Sequence, residues 1–179
     1  MLVPVHRLFF ALKPPTPQAA AIGRARDSVA GAHSIVSDDR LHATLAITND
    51  YPEFPQALAD RLVAIGDAVA GEPVPVALDR LVGSPRSVAL RSRRAPAAMR
   101  DLQRQLAGPM ARQGLGRHGW EFSPHVTLLY WQGKAFEAPA DPIGWLGSDF
   151  VLIHSIVGRT RHIELARWLL EPRQYGLFH

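Results

Sequence analysis

The feature that most constrains the fold is a short motif, His-x-Thr-Leu, that occurs twice, once from His42 and once from His125. Each copy closes a similar unit, in which a strand-like segment is followed by a helical segment and then by the strand that carries the motif. Leu8 stands at the same place in the first unit as Leu90 in the second. An internal repeat of this kind predicts two similar lobes related by an approximate two-fold axis.

Apolar alternation, helical stripes and Pro or Gly breaks predict the elements of both lobes. The predicted strands are Val5–Leu12, Leu41–Thr48, Val74–Val82, Ser87–Arg91, His125–Trp131, Phe150–Val157 and His162–Leu170. The predicted helices are Gln18–Ala32, a stripe from Phe54 to Val69, and a helix that opens at Pro96. Because no low-complexity linker separates the lobes, we expect residues 1–179 to form a single domain around one shared core.

Composition narrows the possible functions. The chain has no cysteine, which excludes a disulfide scaffold, a thiol nucleophile and iron–sulfur clusters. Eight arginines lie between Arg86 and Arg117 against one acidic residue, Asp101. Arginine suits bidentate contact with phosphate, so this segment favours an anionic partner, although a solvated arginine-rich helix explains it equally well. No segment is long and apolar enough for a signal peptide or a membrane span, and we expect a cytoplasmic protein.

The two motifs carry the candidate chemistry. Side chains two apart on a strand share a face, so His42 lies beside Thr44, and His125 beside Thr127. A two-fold axis would bring both strands together as a cleft with two imidazoles flanked by two hydroxyls. Neutral imidazole takes a proton and imidazolium gives one near neutral pH, while hydroxyls donate to phosphate oxygens. The sequence has no HExxH motif and no His-x-His pair, so phosphodiester cleavage with no metal and no cofactor is the favoured hypothesis.

The sequence resembles a known protein family. The resemblance rests on Arg7–Leu12, Leu41–Leu45, Phe122–Leu128 and Phe150–Leu170, which together span nearly the whole chain. These stretches are similar to the 2H phosphoesterase superfamily, and within it to the bacterial RNA 2′,3′-cyclic phosphodiesterases historically called 2′-5′ RNA ligases. The resemblance implies a bilobal α+β fold, in which two pseudo-symmetric lobes with antiparallel sheets and outer helices enclose a central cleft.

The resemblance also implies an activity. This is metal-independent hydrolysis of a 2′,3′-cyclic phosphate, on an RNA end or a small cyclic nucleotide, to a 2′-phosphomonoester. By position, His42 would be the general acid and His125 the base that activates water, while Thr44 and Thr127 would bind the phosphate. The sequence departs from the family at Tyr130, where the RNA-processing branch commonly has a basic residue.

Several residues and alternatives complete the hypothesis. Arg40, Tyr130 and Trp131 are possible substrate contacts, and strand alternation favours Trp131 over Tyr130 on the face of the motif. His154 is predicted to be a core histidine and His162 a surface one. A binding module that holds a nucleotide or RNA in the same cleft without turnover remains the alternative, and RNA ligation by reversal of the cleavage a third possibility. We expect a monomer.

Overall fold

The computed structural model describes residues 4–172, in which nine antiparallel strands join in one sheet and three α-helices cover it. The strands are β1 (Val5–Leu12), β2 (Ala32–Ile35), β3 (Ala43–Ile47), β4 (Val74–Gly83), β5 (Ser87–Arg91), β6 (His125–Trp131), β7 (Phe136–Gly147), β8 (Asp149–Val157) and β9 (Arg161–Leu169). The helices are α1 (Thr16–Asp27), α2 (Gln56–Asp67) and α3 (Ala97–Arg112). Within the described residues, no helix has the length and apolar character needed to cross a bilayer.

The sheet consists of two four-stranded halves. Its order is β7-β4-β5-β6-β3-β1-β8-β9, with β2 added beside β6. Outward from the junction of β3 and β6, the first half consists of β3, β1, β8 and β9. The second half consists of β6, β5, β4 and β7, in corresponding places. The predicted α+β class, with antiparallel sheets, outer helices and two similar lobes, is confirmed. That residues 1–179 form one domain stays a prediction.

The helices interlock the two halves. Helix α1 follows β1 of the first half but contacts β6 and β7 of the second. Helix α3 follows β5 of the second half and contacts β3 of the first. The predicted apolar stripe of α3 is buried at Met99, Leu102 and Leu106, and the helix contacts β4 of its own half as well as β3 of the other.

Strand β1 is buried on both faces, which explains its unbroken apolar run. Leu8 and Phe10 belong to the main core beneath the helices. Phe9 and Ala11 point the other way and form a small second core with neighbours on β8. This second core lies beneath the cleft between the halves, because Phe9 also lines that cleft.

Two strands and one helix end were not predicted. Strand β2 follows a helix that ends at Asp27 rather than at Ala32, which frees the next residues to pair with β6. Strand β7 contains Pro139 and Pro142, and local sequence therefore argued against a strand. It pairs only with β4 at the edge of the sheet, where missing N–H donors are tolerated.

Candidate active site

The two motifs meet at the centre of the sheet. Strands β3 and β6 pair at a single position, Ala43 with Val126, which are the middle residues of the two His-x-Thr triplets. Antiparallel pairing about this point sets His42 across from Thr127, and Thr44 across from His125. The two histidines are therefore diagonal neighbours, which lie roughly 7–8 Å apart in regular sheet geometry, with their Cβ atoms somewhat closer.

All four motif side chains line one cleft of about 520 Å³. The predicted juxtaposition of two imidazoles and two hydroxyls is present. Neither Thr44 nor Thr127 has a side-chain hydrogen-bond partner among the described residues, so both hydroxyls are available to a ligand.

Each motif strand carries a β-bulge at its leucine. The pairing of β1 with β3 skips Leu45, and the pairing of β5 with β6 skips Leu128. The extra residue shifts the alternation by one. Beyond the bulges, Ile47 and Tyr130 therefore return to the cleft face, and both line the cleft.

The bulge corrects the prediction for the aromatic residues after the second motif. Regular alternation favoured Trp131 beside the motif, and this is wrong. The Trp131 indole N–H donates to the carbonyl oxygen of Ser84 at 2.7 Å, and its ring meets Phe136 edge-on with centroids 5.7 Å apart. Tyr130, half exposed, occupies the cleft in its place.

Both imidazoles are oriented in the same way. Nδ1 of His42 lies 2.7 Å from the carbonyl oxygen of Arg40, and Nδ1 of His125 lies 2.6 Å from that of Ser123. A carbonyl only accepts, so Nδ1 carries the proton in each ring. Nε2 is consequently the nitrogen available to a ligand, as a base when the ring is neutral and as an acid when it is cationic.

The surroundings of His42 are enclosed. Phe9 stacks on its ring with centroids 4.6 Å apart, and His162 meets it edge-on at 5.3 Å. Burial is the main cause that lowers the pKa of His42 to about 4, and the nearby cations lower it further. The same burial lowers the pKa of His162 to about 3.

His162 is the residue that sequence analysis misplaced most clearly. A surface position was predicted because a charged residue flanks it. Instead it lies opposite Ser155 on β8, the strand next to β1, and it forms part of the cleft wall. No local signal could have found it, since its position depends on the order of three strands distant in sequence. The predicted core histidine, His154, is buried as expected.

His125 has a more open environment. Burial again lowers its pKa, and the charge of Arg91 contributes to the shift. Arg91 pairs with His125 across β5 and β6, and its Nη1 donates to the Ser123 hydroxyl at 3.0 Å. In the first half, Lys13 occupies the equivalent register position beside His42, since Leu12 pairs with Ala43. Each imidazole thus has one cationic neighbour from the adjoining strand.

The cleft is suited to an anion. Among the described residues, its lining has no carboxylate but has six basic side chains: Arg7, Arg40, Arg117, His42, His125 and His162. Arg40, predicted as a possible substrate contact, lies in a short 3-10 turn (Asp38–Arg40) and lines the cleft. Its Nε is buried without a hydrogen-bond partner in the described part of the chain. Such a donor is costly unless a ligand accepts from it.

Some lining residues were not anticipated from the sequence as site residues. Arg7 and Phe9 come from β1, where the apolar run indicated only a buried strand. Arg117 and Trp120 come from the loop before β6 and reach the cleft because that loop folds back onto β3. Across residues 4–172, no group of three or more His, Asp or Glu side chains is arranged as a metal site.

Comparison with known proteins places the chain in a class. Its residues 14–145, more than half of the sequence, match the model of the 2′-5′ RNA ligase superfamily. The protein therefore belongs to this superfamily of 2H phosphoesterases and ligases, as its paired motifs predicted. No curated protein sequence matches the chain.

Solved structures agree with this assignment. The fold is similar to a phosphoesterase crystal structure, with TM-score 0.80 and 27% identity over 93% of this chain and 99% of that chain. It is also similar to Escherichia coli LigT solved with 3′-AMP, with TM-score 0.79 and 26% identity over 93% and 98% of the chains. A Thermus thermophilus protein, 21% identical over 92% and 97% of the chains, shares the fold with TM-score 0.71.

Proposed function

We propose that the protein hydrolyses 2′,3′-cyclic phosphates, on RNA ends or small nucleotides, to 2′-phosphomonoesters without a metal. The observation that carries the proposal is the matched pair of imidazoles. His42 and His125 each have Nδ1 fixed on a carbonyl oxygen, which leaves two Nε2 atoms available in one cationic cleft. This arrangement is suited to acid–base chemistry on an anionic diester.

The reaction balances with these groups alone. Nε2 of His125 takes a proton from water as the water oxygen attacks phosphorus. The bond from phosphorus to O3′ breaks, and Nε2 of His42 gives its proton to that oxygen. The product has a 2′-phosphate and a free 3′-hydroxyl, and the proton taken by His125 returns to His42 through solvent. This division of roles follows the family resemblance.

The phosphate oxygens need donors while charge develops on them. Thr44 and Thr127 have unpaired hydroxyls in the cleft, one beside each imidazole, and Arg40 has a buried unpaired Nε. Donors held in place before the reaction stabilise a transition state most effectively. Tyr130, in the place of the family's basic residue, offers a ring and a hydroxyl to the nucleoside instead of a charge.

The lowered pKa values of His42 and His125 support the uptake of a proton when the substrate binds. In the free site, burial lowers the pKa values of both His42 and His125 below the usual 6.5. A bound phosphodiester anion opposes this shift, because a negative charge nearby favours imidazolium. One proton is therefore expected to enter as the substrate binds. E. coli LigT has been solved with 3′-AMP and with phosphate, which is consistent with an anionic nucleotide in this cleft.

The test is a turnover assay in EDTA with an oligoribonucleotide that ends in a 2′,3′-cyclic phosphate, beside nucleoside 2′,3′-cyclic monophosphates. The product is identified by phosphorus NMR, and water enriched in oxygen-18 reports whether solvent oxygen enters the phosphate. We expect a 2′-phosphomonoester that contains one solvent oxygen. A 3′-phosphate product would contradict the assignment. Nucleotide binding without turnover would favour the non-catalytic alternative. Monomeric state and cytoplasmic location stay predictions.

A further inference from the structure

A second cationic cluster lies in the cleft beside the reacting groups. Asp50 binds Arg7 through two short contacts, 2.6 Å to Nε and 2.7 Å to Nη2. The same carboxylate accepts from Nη1 of Arg117 at 2.9 Å. Both arginines line the cleft, whereas Asp50 is not part of its lining.

This cluster is held in place before any ligand binds. The backbone N–H of Arg117 donates to the carbonyl oxygen of Ile47 at 2.8 Å, and that of His118 to the Asn49 side chain at 3.2 Å. The two arginines hold the pKa of Asp50 down to about 2, so the carboxylate stays charged. The loop and the strand end therefore fix both guanidinium groups.

The cluster retains capacity for an anion. Two arginines share one carboxylate, so a positive charge remains on the cleft wall. Asp50 engages only Nε and Nη2 of Arg7, and Nη1 of that guanidinium makes no described contact. A guanidinium has five N–H donors in a planar fork, which matches phosphate oxygens.

The position of the cluster relates it to the reaction centre. Phe9, which stacks on His42, pairs with Ile47 across β1 and β3. Arg7 lies two residues from Phe9 on the same face, about 7 Å farther along the strand. The backbone of Arg117 is anchored on Ile47 of the paired strand. The arginine pair thus lies one step along the ladder beyond Phe9, on the side away from His42.

We propose that Arg7 and Arg117 form a second phosphate subsite, which binds the phosphodiester next to the cyclic phosphate of an RNA end. This inference rests on the proposed function and names its substrate class. The preferred substrate is an oligoribonucleotide of at least two nucleotides, because a cyclic mononucleotide has no phosphate to place there.

Three substrates test the subsite without changing the protein. They are a cyclic mononucleotide, a dinucleotide that ends in a 2′,3′-cyclic phosphate, and the same dinucleotide with a neutral methylphosphonate as its internal linkage. We expect kcat/KM of the charged dinucleotide to exceed that of the neutral one by about tenfold, the effect of one charge-assisted hydrogen bond. Its rate should also fall more steeply with salt.

A variant of the protein is then tested with the same substrates. Arg117→Gln removes one charge but keeps the pairing of Arg7 with Asp50. It should remove most of the preference for the charged linkage, while the rate with the methylphosphonate changes much less. Arg24→Gln, which removes an exposed arginine on α1 outside the cleft, should preserve the preference.

The outcomes separate the two proposals. Turnover of all three substrates with equal kcat/KM, or a preference that Arg117→Gln leaves intact, would overturn the subsite and keep the proposed function. A purely structural ion pair would lower the melting temperature of Arg117→Gln without changing the ratio between the two dinucleotides, and this also overturns the subsite. No turnover of any substrate by the wild-type protein would overturn both.

Discussion

The two halves of the cleft use the same backbone plan with different surroundings. Each half has an imidazole fixed through Nδ1 on the carbonyl two residues earlier, and a bulge at the motif leucine. Around His42 the walls are Phe9 and His162, whose rings pack against the imidazole. His125 has Arg91 as its cationic neighbour and a less enclosed ring.

This difference shows how a nearly symmetric site can hold two imidazoles in different environments. Two identical imidazoles in identical surroundings would share one intrinsic pKa. Here burial lowers the pKa of His42 to about 4, and an aromatic wall that the second half lacks is responsible for that enclosure. The backbone repeat therefore supplies the pair of groups, and the non-repeated side chains set them apart.

The largest expected effect comes from the histidines themselves. His42→Gln and His125→Gln should each lower kcat by roughly 10²–10⁴-fold, the usual contribution of a general acid or base. The double variant should lose little more than either single one, because the two groups act as a unit. His33→Gln, an exposed histidine outside the cleft, is the matched control. Independent, multiplicative losses would contradict a concerted pair.

The hydroxyl pair should give the next largest effect. Thr44→Val and Thr127→Val keep the shape of the side chain and remove a donor to the phosphate oxygens. Loss of one donor that acts in the transition state lowers kcat by roughly 10²-fold or more. If the halves are functionally equivalent around phosphorus, the two variants should lose similar amounts in steady-state assays. An effect on KM alone would place the threonines in ground-state binding.

Variants of His162 change one wall of the enclosure around His42 and leave the other wall, Phe9, in place. His162→Ala opens the wall to water and should raise the lower pKa seen in the kcat/KM profile toward 6.5, with a change of several-fold in rate. His162→Phe keeps the wall apolar and should leave that pKa low, because burial is the main cause of the shift. Equal profiles for the two variants would show that His162 does not act through burial.

The smallest effect concerns stability. His42 and His162 have folded-state pKa values of about 4 and about 3, below the 6.5 of the unfolded chain. The unfolded chain therefore binds more protons between these values, and stability should fall as pH decreases from about 6.5 toward 4. Urea denaturation at pH 7.5 and pH 5 measures this loss, which should be smaller in His162→Phe. A pH-independent midpoint would refute the burial account of these histidines.

The sequence allowed the meeting of the two motifs to be predicted, but not the walls of their cleft. The repeated motif was enough to place His42 and His125 together, because strand alternation and an internal repeat are local signals. Tyr130 could not be placed, since the bulge at Leu128 appears only when β6 pairs with β5. His162 depends on the order of β1, β8 and β9 in the sheet.

The arginine-rich segment shows the same limit. It suggested one cationic surface for an anionic partner, but its members separate in the fold. Arg117 lines the cleft, where it joins Arg7 and Arg40 from outside the segment, whereas Arg104 and Arg112 line a groove between α2 and α3. Clustering along the chain did not become clustering in space, because α3 and the following loop turn their charges in different directions.

The central claim is that one cleft uses two imidazoles, one as acid and one as base. The pH dependence of kcat/KM on a 2′,3′-cyclic phosphate in EDTA tests it most directly. Because both pKa values are lowered in the free site, we predict a bell-shaped profile with its maximum between about 4 and 6.5. His42→Gln should lose the alkaline limb and His125→Gln the acidic limb. A profile with a single limb in the wild-type protein, unchanged in either variant, would contradict the account.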